Sequence, residues 1–182
     1  MGRLLTGFVL GVLATVLVAV AGAYVYFGQG MAPVATSASP MPFEVRLAHM
    51  ALHARLVREM PGEAPMPADE ANLAAGARVY VQHCAVCHGV PGAEQTAIAR
   101  GEFPRPPHLF RGKGVTDDPA GETYWKVANG IRMTGMPGFG RSLSEDEMWQ
   151  VSLLLANADK LPATVSAVLE NGSAGGQVVS AR

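Results

Sequence analysis

Both cysteines of the chain fall in one short stretch, His83-Cys84-Ala85-Val86-Cys87-His88-Gly89. Thiols at i and i+3 project from the same side of a helical turn, and an imidazole follows the second thiol. Such a set can close a disulfide, ligate a metal, work as a redox dithiol, or form two thioethers to one porphyrin while the histidine reaches its iron. A Cys84–Cys87 disulfide would close a tiny loop and contribute little. Zinc would need two further ligands, and His49, His53, His83 and His108 have no zinc-finger spacing. The dithiol reading requires a βαβ pattern beside the motif, and the sequence has none. Covalent attachment of haem through Cys84 and Cys87, with His88 on the iron, is the reading that the C-x-x-C-H spacing favours.

An iron held by one histidine takes a second axial ligand, and a thioether suits an electron carrier. The stretch GIRMTGMPGFG, Gly130 to Gly140, offers Met133 and Met136. Met136 is preferred, because Pro137 stiffens the backbone beside it and the surrounding glycines permit close approach. Met133 is assigned to packing. His83 is read as a surface or loop residue and His108 as a local hydrogen-bonding group. His49 and His53 are read as an exposed or partner-facing edge rather than a metal site.

These residues need elements to position them. The chain has 182 residues and formal net charge −1, room for one ordinary domain plus appendages. Near-neutral charge and the lack of a Lys/Arg-rich run argue against a nucleic-acid partner. The apolar fraction of 49% is inflated by the segment Leu4 to Phe27, which contains no ionisable acid or base. As a helix it would span about 36 Å, enough for a hydrocarbon core of about 30 Å. Arg3 precedes it and no basic residue follows until Arg46, so the positive-inside rule puts the N-terminus in the cytoplasm. A cleaved signal peptide is the alternative, with Ala21-Gly22-Ala23 as its small-residue site. The length of the run and its aromatic end favour an anchor, and both readings export the rest.

The expected organisation is an anchor at 1–27, a linker at 28–42, an amphipathic helix at 43–60, a second linker at 61–68, a main domain at 69–158 and a disordered tail at 159–182. In the 43–60 helix, Phe43, Leu47, Met50, Ala51, Ala54 and Val57 recur at helical spacing. The main domain reads as all-α, with helices from about Leu73 into the cysteine motif, over Glu122 to Asn129, and from Ser144 onward. Ser144 and Glu147 form a capping-box pair. The stretch from Gly89 to Gly121 is too rich in Gly and Pro for regular structure. A loop of that length in a small domain is expected to wrap something.

From about Glu70 to Asn157 the chain resembles class I c-type cytochromes, in particular bacterial membrane-anchored monohaem domains. Gly76-Ala77-Arg78-Val79-Tyr80 is similar to the Gly-x-x-x-aromatic of the family's first helix, where Gly lets the last helix cross. The resemblance implies that Trp149 and Leu153 face it, and that a proline carbonyl in RPPHLF accepts the axial histidine's N–H. Pro107 is assigned that role, with Pro106 as the alternative, and Leu109 then packs on the porphyrin. The implied fold is a small helical domain wrapped around one covalent haem c, preceded by a single transmembrane helix. The implied function is one-electron transfer with His88 and Met136 as axial ligands, as a shuttle or as the cytochrome subunit of a larger complex. No catalytic residue and no small-molecule substrate are expected, since both iron faces are filled. The expected partners are an electron donor and acceptor and the membrane. The expected place is a bacterial inner membrane, with the haem domain periplasmic. Arg100, Arg105, Arg111 and Lys113 suggest a basic docking rim. An exported thiol–disulfide oxidoreductase using Cys84 and Cys87 is the alternative function.

Overall fold

A computed structural model describes residues 2–176, with side chains described as far as Gly172. All the regular structure among these residues is helical. The chain divides into two compact units, with the boundary after Val45. The first unit is dominated by α1, Gly2–Gly28, none of whose residues is buried. It is the one helix among the described residues that is long and apolar enough to cross a membrane.

The second unit contains α2 (Glu44–Glu59) from Arg46 onward, α3 (Glu70–His83), α4 (Ala85–His88), α5 (Ala97–Gly101), α6 (Ala120–Asn129), α7 (Glu145–Ala156) and α8 (Ala163–Gly176). Local chemistry sets the helix starts. Asp69 caps α3 by accepting from the Asn72 N–H at 2.9 Å. Ser144 accepts from the Glu147 N–H while Glu147 reaches back to the Ser144 N–H, which completes the capping box of α7. Burial then sets the packing. Leu73, Ala77 and Tyr80 of α3 join Val151, Leu154 and Leu155 of α7 in one apolar core. Full burial of each large aliphatic side chain contributes about 1.5–3 kcal/mol.

Gly76 is where α3 and α7 meet backbone to backbone, since a Cβ there would overlap the Gln150 carbonyl. The expected opposing residue, Trp149, turns elsewhere and stacks on Tyr124 of α6, with ring centroids 4.3 Å apart. Two further expectations are corrected. The tail expected from 159 contains α8, whose Val165 and Leu169 are fully buried in the same core. An apolar i, i+4 pair gave that segment a face to bury, and its Gly-rich end masked the signal. Residues 177–182 of that expected tail lie outside the described residues. Residues 61–68, expected as a linker, lie on the domain, with Ala64 and Met66 packed against the core. The helix expected over 43–60 is α2, in which Leu56 is buried and Leu47, Met50 and Val57 are exposed.

Candidate functional site

The cysteine motif sits where α3 breaks into α4. Cys84 ends α3, its N–H donating to the Tyr80 carbonyl at 2.8 Å. Its own carbonyl then accepts the N–H groups of Cys87 at 3.1 Å and His88 at 2.9 Å. This single turn brings both thiols and the imidazole together. Gly89 stops the turn with φ 73°, a conformation that favours glycine. A side chain at Gly89 would also collide with His108, whose ring covers it. Tyr80, fully buried, donates its hydroxyl to the Gly89 carbonyl at 2.7 Å and so fixes the exit of the motif.

The His88 ring has a defined tautomer. Nδ1 lies 2.8 Å from the Pro107 carbonyl, which can only accept, so Nδ1 carries the proton and Nε2 keeps its lone pair. Burial holds this imidazole below its ordinary pKa, partly opposed by the Pro107 hydrogen bond and the Glu102 carboxylate, so it is neutral near neutral pH. Both cysteines are free thiols. Burial, with a smaller repulsion from Cys87, pushes the Cys84 thiol up to about 12. Burial and then Glu102 raise Cys87 as well. Neither thiol is a ready thiolate near neutral pH.

Facing the motif are two loops. The first, between Gly89 and α6, includes Leu109, buried in the core, and a short helix, α5, where none was expected. Thr96 caps α5 by accepting from the Ala99 N–H at 3.2 Å. His108 is held locally: its Nε2 donates to the Ala93 carbonyl at 3.1 Å and its Nδ1 accepts from the Phe110 N–H at 3.3 Å. The second loop follows α6. Phe139 and Gly140 donate to the Val127 and Ala128 carbonyls at 2.8 and 3.0 Å, satisfying the end of that helix. Thr134 accepts the Met136 N–H at 3.1 Å and donates to the Ile131 carbonyl at 2.6 Å. Met136 is thereby pinned and partly buried against the core. Met133, expected to pack, is 88% exposed.

Glu102 connects the two sides. The Cys87 thiol donates to its carboxylate at 3.4 Å, and the same carboxylate lies against Gly135, next to Met136. The basic rim is largely spent on internal pairing. Arg111 binds Glu94 at 2.6 Å and Lys113 binds Asp117 at 3.3 Å. Arg100 donates to the Gln95 carbonyl and Arg105 to the Gln95 side chain at 3.0 Å. Sequence reasoning missed Gln95, Thr96 and Glu102. A lone polar residue in a Gly/Pro-rich loop carries no local signal that it will be buried.

Residues 71–154 match the family model described as cytochrome c oxidase, cbb3-type, subunit III. The chain is similar to a thiosulfate dehydrogenase of Stutzerimonas stutzeri, 32% identical over 108 residues, which are 57% of this chain and 34% of that protein. It thus spans about a third of the length of that curated relative. A solved chain of the Kuenenia stuttgartiensis reducing HAO-like protein complex is 26% identical, at a TM-score of 0.45 covering 52% of this chain and 47% of that one. The helical core, the C-x-x-C-H turn and the family match together identify a cytochrome c domain over residues 71–154, a family that implies covalently bound haem c and electron transport.

Proposed function

We propose that this chain is a membrane-anchored carrier of single electrons holding one haem c. In this reading Cys84 and Cys87 would form the two thioethers, and His88 Nε2 and the Met136 thioether would hold the iron. The observation that carries it is the His88–Pro107 hydrogen bond, which leaves Nε2 its lone pair on the same short turn that carries two free thiols. The chemistry of these residues fits the cofactor: a neutral imidazole, a soft thioether on a pinned loop, and thiols that burial keeps protonated. When bound there, haem supplies one-electron exchange between Fe(III) and Fe(II).

The chain's own residues tune that exchange. Pro107 orients the imidazole and makes it a better donor by accepting its proton's hydrogen bond. The Met136 thioether favours the ferrous state relative to a second nitrogen ligand. Leu109, buried, and Phe110, partly buried against the same core, would give the cofactor apolar neighbours, which disfavour the extra ferric charge. With His88 and Met136 both holding the iron, the domain would move electrons and offer no open position to a substrate. The dithiol alternative fares worse, because exchange needs an attacking thiolate and both thiols are raised.

We assign α1 to a single-pass anchor of a bacterial inner membrane, N-terminus in the cytoplasm and haem domain periplasmic, on its apolar length and the placement of Arg3. A fixed cytochrome subunit of an exported dehydrogenase is the second reading, favoured by the name of the Stutzerimonas stutzeri relative. The test is a denaturing haem stain and visible spectrum on membranes from cells equipped for c-type maturation. Haem on a band of full mass is expected, together with loss of the ferric methionine–iron charge-transfer band in Met136→Ala. A colourless protein with two titratable thiols overturns the proposal. Co-purification with a dehydrogenase separates the subunit from a lone carrier.

A further inference from the structure

The loop that faces His88 has an unusual problem of attachment. Pro106 and Pro107 have no N–H, so this stretch offers only carbonyls and cannot be tied down through its own backbone donors. The cysteine-motif helix has the same shortage on its side. With only four residues, α4 leaves its last carbonyls without helical partners. Two carbonyl-only surfaces can be joined only by a group that brings two donors, and a primary amide is such a group.

Gln95 occupies that place. It is 7% exposed, and its Nε2 donates to the Cys87 carbonyl at 3.2 Å and the Pro106 carbonyl at 2.7 Å. The first carbonyl belongs to the peptide that carries the His88 nitrogen, and the second to the peptide that carries Pro107. One nitrogen therefore bridges the two peptide planes on either side of the His88–Pro107 hydrogen bond. The amide cannot flip, because Arg105 Nε donates to its Oε1 at 3.0 Å. Next to it, Thr96 donates its hydroxyl to the Val86 carbonyl at 2.6 Å, a grip on α4 that does not reach the proline loop.

We propose that Gln95 is the positioning residue of the axial histidine: it sets the distance between His88 and Pro107, and through it the donor strength of the imidazole. The proposal rests on the reading of His88 as an axial ligand. Removing the amide lets the Pro107 carbonyl drift from Nδ1, and a weaker hydrogen bond leaves the imidazole a poorer donor to ferric iron.

The experiment uses the haem-loaded full chain with histidine labelled by nitrogen-15. Solvent exchange of the His88 Nδ1 proton is followed by NMR, and the midpoint potential by spectroelectrochemical titration. Gln95→Leu is expected to speed the exchange several-fold and to move the midpoint upward. Thr96→Val is expected to move neither. A Gln95→Leu protein that melts earlier but keeps the wild-type exchange rate and midpoint overturns the proposal, since that is the signature of a merely structural residue. Should Gln95→Leu fail to load haem, Arg105→Met replaces it. That change unlocks the amide yet keeps both donors, and a smaller shift in the same direction is expected; no shift overturns the proposal. A wild-type spectrum with no hyperfine-shifted His88 imidazole removes the axial reading itself. A normal wild-type spectrum with an unresponsive Gln95→Leu removes only the role of Gln95.

Discussion

The helical frame and the loops facing the cysteine motif in the second unit are held together by different forces. In the frame, seven of the twelve residues of α7 are buried, against partners on α3 and α6. In the loop from Gly89 to α6, the fixed points are side-chain donors on backbone carbonyls: Tyr80 on Gly89, Gln95 on Cys87 and Pro106, Thr96 on Val86. Apolar burial is additive and non-directional, so the frame tolerates the loss of one contact at a graded cost. A hydrogen bond to a buried carbonyl is directional, and its loss acts on a single loop. The frame therefore governs whether the domain folds, and the loops govern how the site is presented.

That contrast can be broken at its strongest point first. Gly76→Val would force α3 away from the Gln150 carbonyl, a backbone atom that cannot rotate aside. A loss of about 3 kcal/mol or more is expected. Thermal melts should show no cooperative transition at ordinary temperatures; a native-like melt would mean the helices can slide apart cheaply. Leu154→Ala, at a fully buried position in the same interface, is expected to cost about 2–5 kcal/mol while the fold survives. Urea titration reads that value directly.

A smaller effect with a different spread is expected from Tyr80→Phe. It keeps the buried ring but leaves the Gly89 carbonyl without its donor, at a cost of about 1–3 kcal/mol. Amide exchange should quicken over residues 89–95 more than in α7, and equal quickening in both would erase the distinction between frame and loop. The smallest effect is at the start of α7. The Ser144 backbone N–H and hydroxyl hold the Glu147 carboxyl below its ordinary value. Between the folded and unfolded values the unfolded chain binds more protons, so the capping contribution is present above the ordinary carboxylate range and fades as pH falls through the depressed folded value. The urea midpoints of wild type and Glu147→Gln should therefore converge from about pH 6 down to about pH 3. A constant gap would assign the effect to something other than the ionised cap.

The same division explains what could be read in advance. Ser144 and Glu147 were legible as a cap because a cap is satisfied within a few residues of itself. The C-x-x-C-H turn was legible for the same reason: one turn suffices to gather Cys84, Cys87 and His88. The interaction between His88 and Pro107 spans nineteen positions, and it entered the sequence reading only through a family resemblance. Gln95 had no such precedent, and the burial of α8 was hidden by its Gly-rich end.

By itself the sequence determined helices α2, α3, α6 and α7, the apolar N-terminal span and the chemistry of the cysteine motif, because period, caps and short spacings are local properties of the chain. Only the tertiary structure decided which tautomer His88 adopts, that its neighbouring carbonyls are bridged by Gln95, and that α8 belongs to the core. Each of those depends on a partner from another segment, and whether a polar or apolar group finds such a partner is settled by packing.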